Sequence, residues 1–280
     1  MYKILNDKQC LDIITKYNSG VNRNKLAKEY NVSHKTISNI INRNLRNRSR
    51  GNKKYSVNEC YFSKIDTEDK AYWLGFLYAD GYILEKGKAL ITGLTLKDLE
   101  HIEKFKCDIN STHLIKEAKT TNNYQLNIYN TKFSKYLVDK GCVPRKTYLI
   151  EFPIIESDLI NHFIRGYFDG DGSISATDKT LQITICCASK TFLEKLIKFL
   201  SDETGVKNKI YTRKDGLHLY VNASGDDILK IKKYLYKGSK TYLDRKKETF
   251  DLIEKNINEI KNKVWKNHWI QKKKRNILKE

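Results

Sequence analysis

Two short segments of the sequence place an aspartate between small residues, ADG at residues 79–81 and GDG at residues 170–172. Each follows an apolar run with helical spacing, so Asp80 and Asp171 are expected at the C-terminal ends of two helices. The helix dipole disfavours a carboxylate at that end, and a divalent cation between two such carboxylates would relieve the repulsion. The pair therefore indicates a metal site, with ordinary helix-end capping as the alternative.

The same two helices carry small residues at positions that allow close packing. Gly75 and Ala79 lie four residues apart, as do Gly166 and Gly170, so each pair shares one helix face. Small side chains at this spacing let two helices approach at backbone distance. The glycine that follows each aspartate is expected to end its helix in the left-handed conformation.

A pattern of helices and β-hairpins occurs twice from Tyr72 onward, and Asp80 and Asp171 lie 91 residues apart, which is one module length. This predicts an internal repeat, although little residue identity links the halves. The predicted fold class is α+β, with two pseudo-symmetric αββαββα modules behind a small all-α domain. We expect a helix-turn-helix domain at 1–42, a basic linker at 43–57, modules at 58–153 and 154–254, and a basic C-terminal helix at 255–280.

The charge balance favours a polyanionic partner. The chain has 53 Lys and Arg against 33 Asp and Glu, which gives a net charge of +20. Each phosphate that such a surface neutralises releases condensed counterions. A surface that serves only solubility is the alternative.

Several features bound the location of the protein. No stretch approaches the roughly 20 apolar residues of a membrane span, and the N-terminus has no signal pattern. The six cysteines include no C-x-x-C spacing, which argues against a zinc site and against a disulfide framework. We therefore expect an intracellular, cytoplasmic protein.

The segments WLGFLYADGYI (residues 73–83) and IRGYFDGDGSI (residues 164–174) resemble the signature of the LAGLIDADG homing endonucleases. The resemblance has the two-motif, single-chain form and extends from Tyr72 to about Phe250. It implies that the two motif helices form the interface of a pseudo-dimer, and that the hairpins form antiparallel saddle sheets over the DNA major groove. It also implies double-strand cleavage across the minor groove that leaves short 3′ overhangs.

The resemblance implies the metal ligands as well. Asp80 and Asp171, with the neighbouring Ala79 and Gly170, would hold Mg²⁺ against the two scissile phosphates, and Mn²⁺ is expected to substitute. The metal would activate water and stabilise the pentacoordinate phosphate.

Two lysines are assigned by the same resemblance. The segments GCVPRKTYLIEFP and YLDRKKETF resemble the module ends that carry a basic residue near the active site in relatives, which marks Lys146 and Lys246. Plain surface or phosphate-contacting charges are the alternative in a chain so rich in lysine. Asp169, whose counterpart in the first motif is Tyr78, is interpreted as structural.

The N-terminal segment KLAKEYNVSHKTISNIINR resembles the bacterial helix-turn-helix motif. Leu26 and Ile37 fall where two short helices bury apolar groups, and Asn31 occupies the tight turn. A packing module without a DNA role is the alternative. The exposed face of the last helix is predicted to contact DNA through His34, Lys35, Thr36, Ser38 and Asn39. The linker is predicted to contact phosphates or a minor groove through Arg46, Arg48 and Arg50, or to serve as a solvated tether.

Alternate residues on the hairpins should face the major groove, because one face of each strand meets it. The predicted DNA-binding residues are Thr92, Lys116, Gln125, Gln182, Thr184, Lys209, Tyr211 and Arg213. The tail after Glu254 is predicted to be a basic helix that docks on the core through Trp265 and Trp269, and it offers a third DNA-contacting element.

Together these features predict a Mg²⁺-dependent, site-specific DNA endonuclease of the homing type. The two hairpin sets differ in sequence and both modules lie in one chain, so we expect a monomer on a long, largely asymmetric duplex. A catalytically silent DNA-binding regulator and an intron maturase on the same fold are the alternatives; the presence of both acids favours the enzyme.

Overall fold

A computed structural model of the chain describes residues 5–19, 21–41, 55–118, 122–213 and 219–277. The chain divides into two compact units, Met1–Ser56 and Val57–Glu280. Among the described residues, no helix is both long and apolar enough to cross a membrane.

The described part of the N-terminal unit contains three short helices around a small apolar core. Helix α1 spans Asp7–Asn18, α2 spans Arg23–Glu29 and α3 spans residues 34–41. Leu26 and Ile37 are fully buried, and Asn31 has a φ of 52°, so the predicted packing and turn are both confirmed. The hydroxyl of Ser33 accepts the backbone N–H of Thr36 at 3.1 Å and caps α3.

The second unit repeats one topology twice, which confirms the internal repeat and the α+β class. The first copy consists of α4 (Glu68–Ala79), β1 (Gly81–Lys86), β2 (Ala89–Leu96), α5 (Leu99–Asp108), β3 (Ile115–Ala118), β4 (Asn123–Ile128) and α6 (Thr131–Asp139). The second consists of α7 (Ile160–Asp171), β5 (Gly172–Ala176), β6 (Leu181–Cys187), α8 (Lys190–Thr204), β7 (Ile210–Thr212), β8 (Leu219–Ser224) and α9 (Asp227–Tyr236). The antiparallel sheets have the equivalent orders β1-β2-β4-β3 and β5-β6-β8-β7.

Helices α4 and α7 pack against each other at the centre of the unit, with their backbones in direct contact. A Cβ atom on Gly75 would lie 2.0 Å from the carbonyl oxygen of Phe163, and one on Gly166 would lie 1.9 Å from that of Tyr72. Only glycine fits at either position, so the predicted close approach is confirmed. Because each helix leads directly into a sheet, this contact also fixes the two sheets relative to each other.

The two motif helices do not end in the left-handed conformation, and that prediction was wrong. Gly172 has φ −76° and ψ 153°, and Gly81 also lacks a positive φ. Each glycine is instead the first residue of a strand. Glycine is needed for space: a Cβ would lie 2.7 Å from the Leu77 carbonyl oxygen at Gly81 and 2.4 Å from the Phe168 carbonyl oxygen at Gly172.

The C-terminal helix α10 spans Asp244–Ile277, so it begins inside the segment assigned to the second module. Its backbone departs from helical geometry at Asn256, where φ is −117°. Trp265 is 67% exposed, so the prediction that it docks the helix was wrong, while Trp269 is 50% exposed. The contacts with the core come instead from an aliphatic stripe that comprises Ile253, Ile257, Ile260 and Val264.

Candidate active site and nucleic-acid interface

Asp80 and Asp171 lie side by side where α4 and α7 end. Asp80 directly follows α4 and Asp171 is the last residue of α7. A Cβ on Gly170 would lie 3.3 Å from Oδ2 of Asp80, so this carboxylate lies over the end of the neighbouring helix. The close packing of α4 and α7 thus brings the two acids together.

The surroundings of both carboxylates disfavour negative charge. Burial raises the pKa of Asp80 to about 6, and the charge of Asp171 acts in the same direction, while Lys246 and Lys146 oppose the rise. Burial also raises the pKa of Asp171, against the effects of Lys146 and the Tyr167 hydroxyl. Burial and the like charge of the neighbouring carboxylate both favour the protonated form, and the positive charge of the two lysines does not fully offset them.

Lys146 and Lys246 contact the ends of the two motif helices. The Nζ of Lys146 donates to the Ala79 carbonyl at 2.7 Å. The Nζ of Lys246 donates to the carbonyls of Phe168 at 2.6 Å, Gly170 at 3.3 Å and Gly172 at 2.5 Å. Ammonium groups at helix C-termini are stabilised by the helix dipole. Lys246 is buried, which lowers its pKa to about 8.

The lysine contacts repeat between the modules. Ala79 and Gly170 occupy the same position of their motifs, directly before Asp80 and Asp171. Each of these two carbonyls accepts a hydrogen bond from the lysine at the end of its own module. Both ammonium groups act to lower the pKa of each acid, and the four residues assigned from the sequence lie in one cluster.

Asp169 is fully buried and joins α7 to the chain that precedes Lys246. Its carboxylate accepts hydrogen bonds from the hydroxyls of Tyr72 (2.9 Å) and Tyr236 and from the backbone N–H of Leu243 at 2.8 Å. With every contact directed into the core, Asp169 has the structural position predicted for it.

Tyr78, the counterpart of Asp169, makes the equivalent connection in the first module. Its hydroxyl donates to the Lys140 carbonyl at 2.6 Å, at the end of α6. The two motif positions thus use different chemistry, a phenol and a carboxylate, to hold the segments that lead to Lys146 and Lys246.

A divalent cation fits the donor set of this cluster. Its ligands would be the carboxylates of Asp80 and Asp171, together with the carbonyl oxygens of Ala79 and Gly170, and such hard oxygen ligands suit Mg²⁺. No group of three or more His, Cys, Asp or Glu side chains suited to a metal occurs among the described residues. Mg²⁺ usually takes one or two carboxylates from the protein and completes its shell with water and substrate phosphate.

A cleft of about 480 Å³ opens beside Asp171. Its lining includes Tyr78, Ala79, Lys146, Thr147, Ile150, Tyr167, Ser173, Cys186 and Arg213. Arg213 was predicted from the sequence as a DNA-binding residue. Tyr167 and Ser173 were not predicted, although both lie within the second motif segment and could have been found there.

Each sheet has one face packed on helices and one open face. On β6, Gln182 and Thr184 alternate with buried Leu181, Ile183 and Ile185, so both predicted residues lie on the open face. On the other sheet, Lys116 pairs with Gln125, and the Gln125 amide donates to the Tyr82 hydroxyl at 2.7 Å.

Thr92 does not lie on an open face, and its assignment as a DNA-binding residue was wrong. It is 2% exposed, and its hydroxyl is 2.8 Å from that of Ser134 on α6. Thr92 shares its strand parity with buried Leu94 and Leu96, so it faces the helices.

The edge strand β7 and the residues beside it carry three exposed candidates. Lys209, Tyr211 and Arg213 alternate along the chain and are all exposed. The Tyr211 ring stacks on Tyr220 of β8 with centroids 5.4 Å apart. These residues extend the open face of the second sheet to its edge.

The predicted DNA-binding residues of the N-terminal unit differ in their exposure. His34, Lys35 and Asn39 are exposed on α3. The hydroxyl of Thr36 lies 2.9 Å from that of Ser33 at the helix cap. The hydroxyl oxygen of Ser38 is buried, which contradicts its placement on the exposed face; Ser38 borders the stripe that includes Ile37. Arg46, Arg48 and Arg50 lie outside the described residues.

Two family models match the chain. Residues 158–236 match the LAGLIDADG-like domain, and residues 3–46 match the CENP-B N-terminal DNA-binding domain. Comparison with curated proteins gives no match.

Several solved structures are similar at low sequence identity. The homing endonuclease I-WcaI bound to its DNA recognition sequence is 16% identical, with a TM-score of 0.45 over 61% of this chain and 82% of that one. The I-SmaMI LAGLIDADG homing endonuclease bound to cleaved DNA is 16% identical, with a TM-score of 0.48 over 73% and 95%. I-DmoI in complex with DNA and Mn is 20% identical, with a TM-score of 0.42 over 61% and 97%.

Proposed function

We propose that this chain, which has the LAGLIDADG homing endonuclease fold with a CENP-B-like helix-turn-helix DNA-binding domain at its N-terminus, is a metal-dependent, site-specific double-strand DNA endonuclease. The observation that carries the proposal is the repeated cluster at the ends of α4 and α7. There, Asp80 and Asp171 lie together, and each has a lysine bound to the adjacent helix-end carbonyl.

The chemistry divides between the bound cation and the protein. A divalent cation held by Asp80 and Asp171 would supply Lewis acidity and an activated water. The contacts of Lys146 and Lys246 with the helix ends hold two ammonium groups beside the acids, where they can stabilise charge that develops on a phosphate. Two equivalent half-sites in one chain suit cleavage of two strands.

The two sheets supply the proposed DNA-binding surface. Lys116, Gln125 and Tyr82 form a polar group on the open face of the first sheet, while Gln182 and Thr184 lie on that of the second. Because the two surfaces differ, we expect an asymmetric target. The interface between α4 and α7 is complete within one chain, so we expect a monomer. The proposed cleavage is across the minor groove and leaves short 3′ overhangs.

The first test is cleavage by the full chain with and without metal. The substrate is a plasmid that carries the uninterrupted form of the locus into which the gene is inserted. Addition of Mg²⁺ or Mn²⁺ should give one linear product, and EDTA should abolish cutting because the paired carboxylates then lack their cation. DNA binding without cutting under every metal condition would instead favour a DNA-binding regulator.

The second test concerns the N-terminal unit. Deletion of residues 1–50 should weaken target binding and shorten the footprint on one side, because a tethered second module raises the effective concentration at a flanking site. Among the described residues of this segment, none belongs to the buried core of the other unit, so slow cleavage should persist at high protein concentration. A footprint of unchanged length would remove the segment from target recognition.

A further inference from the structure

Helix α10 follows the edge of the second sheet outward from the active-site cluster. Lys246, in its first turn, contacts the Gly172 carbonyl where β5 begins. Farther along, Leu252, Ile253 and Asn256 share a cavity with residues 174–177 of β5 and the following turn. The Asn267 amide then donates to the Asp178 carbonyl in the β5–β6 turn at 2.8 Å. Helix α10 therefore runs beside the whole length of strand β5.

The helix extends well past the sheet. It continues for ten residues beyond Asn267 to Ile277. At about 1.5 Å per residue, this extension is about 15 Å long, and the path from Lys246 to Ile277 is about 45 Å. The last ten residues of α10 thus continue past its contact with the β5–β6 turn, where β5 has already ended.

The composition of this far part suits duplex DNA. Between residues 260 and 277 the sequence has seven lysines and arginines and no aspartate or glutamate. In the same part, Trp265 is 67% exposed and Ile270 is 46% exposed, and Lys266 and His268 are also exposed. Exposed apolar groups that cluster on a surface mark interaction sites, and the basic side chains beside them can neutralise phosphates.

We propose that the far part of α10, residues 261–277, binds the DNA that flanks the second half of the target, beyond the reach of the second sheet. This inference rests on the proposed function, because it places the duplex along the open face of that sheet. The basic charge selects a polyanion over a basic or neutral partner. Continuity with the open face through β5 and its turn selects the bound duplex as that polyanion.

The salt dependence of binding tests the lysine contact. In the full chain, Lys266→Ala should lower the slope of log affinity against log salt by about 0.9, which corresponds to a loss of about 5- to 10-fold in affinity at about 0.1 M salt. The matched control is Lys198→Ala, because Lys198 is also exposed but lies on α8 in the helical layer behind the sheet. The control should leave the slope unchanged.

Tryptophan fluorescence gives a second readout that needs no catalysis. The chain has three tryptophans, and Trp73 is fully buried, so emission accessible to acrylamide reports on α10. A long duplex should protect this emission, while a duplex that covers only the two sheets should not. Trp265→Phe should remove most of the protected signal.

The outcomes separate this inference from the proposed function. A chain that cuts its target but shows no protection and an unchanged slope in Lys266→Ala would overturn the role of α10 alone. Protection that grows with protein concentration without DNA would also overturn it, because a second copy would then cover the helix. Protection by long duplexes in a chain that never cuts would support α10 and count against the nuclease.

Discussion

Replacement of either acid by its amide should abolish double-strand cleavage while DNA binding persists. Asp80→Asn and Asp171→Asn each keep the shape of the side chain and remove one charged ligand from the cluster. Because the developing phosphate charge is then stabilised less well, we expect the rate of linear-product formation to fall by at least about 10³-fold. A plasmid assay with metal, paired with a binding assay on the same DNA, measures both quantities.

The same variants should be at least as stable as the parent chain. Folding raises the pKa of Asp80 from 3.8 to about 6 through burial and the charge of Asp171. When the pKa of a carboxyl group is higher in the folded state than in the unfolded state, the free energy of unfolding falls as the pH rises from the unfolded-state pKa to the folded-state pKa. In metal-free buffer at pH 7, Asp80→Asn removes this cost, so its melting temperature should equal or exceed that of the parent.

The opposite directions of the two effects make the experiment specific. A variant that loses cleavage because it is misfolded would melt at a lower temperature, whereas loss of a functional charge leaves the fold intact or improves it. The matched control is Asp202→Asn, since Asp202 is exposed and lies on α8 in the helical layer behind the second sheet. Undiminished cutting by Asp80→Asn or Asp171→Asn would remove that carboxylate from the mechanism.

The sequence predicts that the two acids lie together because several independent features agree at each of them. An apolar helix, a small residue and a terminal glycine surround both Asp80 and Asp171, and the repeat places the two at equivalent positions. Lys146 and Lys246 have no such local pattern in a lysine-rich chain. Only the resemblance marked them, and their carbonyl contacts depend on how the end of each module folds back on its motif helix.

The wrong predictions arose where tertiary packing decides between two readings of one pattern. Thr92 is polar, but it lies on the same face of β2 as buried Leu94 and Leu96. Its hydroxyl forms a hydrogen bond with the Ser134 hydroxyl on α6. Trp265 suggested a core-facing stripe, yet the aliphatic residues between Ile253 and Val264 form it instead. Residue type alone cannot settle which of two helix faces is buried.

The contact between α4 and α7 should be the most sensitive part of the fold. A Cβ on Gly166 would lie 1.9 Å from the backbone carbonyl oxygen of Tyr72, so Gly166→Ala must push the two helices apart. Overpacking of a core typically costs about 1–3 kcal/mol, and more where backbone must move. We expect Gly166→Ala to unfold the chain or to lower its melting temperature by at least about 5 °C.

A milder change at the next turn allows a test of the geometry itself. A Cβ on Gly170 would lie 2.3 Å from the Cβ of Ala79, a contact between two small side chains. Gly170→Ala alone should therefore destabilise the fold by about 1–3 kcal/mol. Ala79→Gly alone should cost about 1 kcal/mol, from the lower helix propensity of glycine.

The double variant exchanges the two residues and restores the space between the helices. If the clash sets the cost, Ala79→Gly with Gly170→Ala should be more stable than Gly170→Ala alone, and a double-mutant cycle from chemical unfolding should give a favourable coupling of about 1–3 kcal/mol. Strict additivity of the two single changes would show that the helices do not meet at this position. The acids beside these residues would then need another explanation for their proximity, because the same contact brings Asp80 over the end of α7.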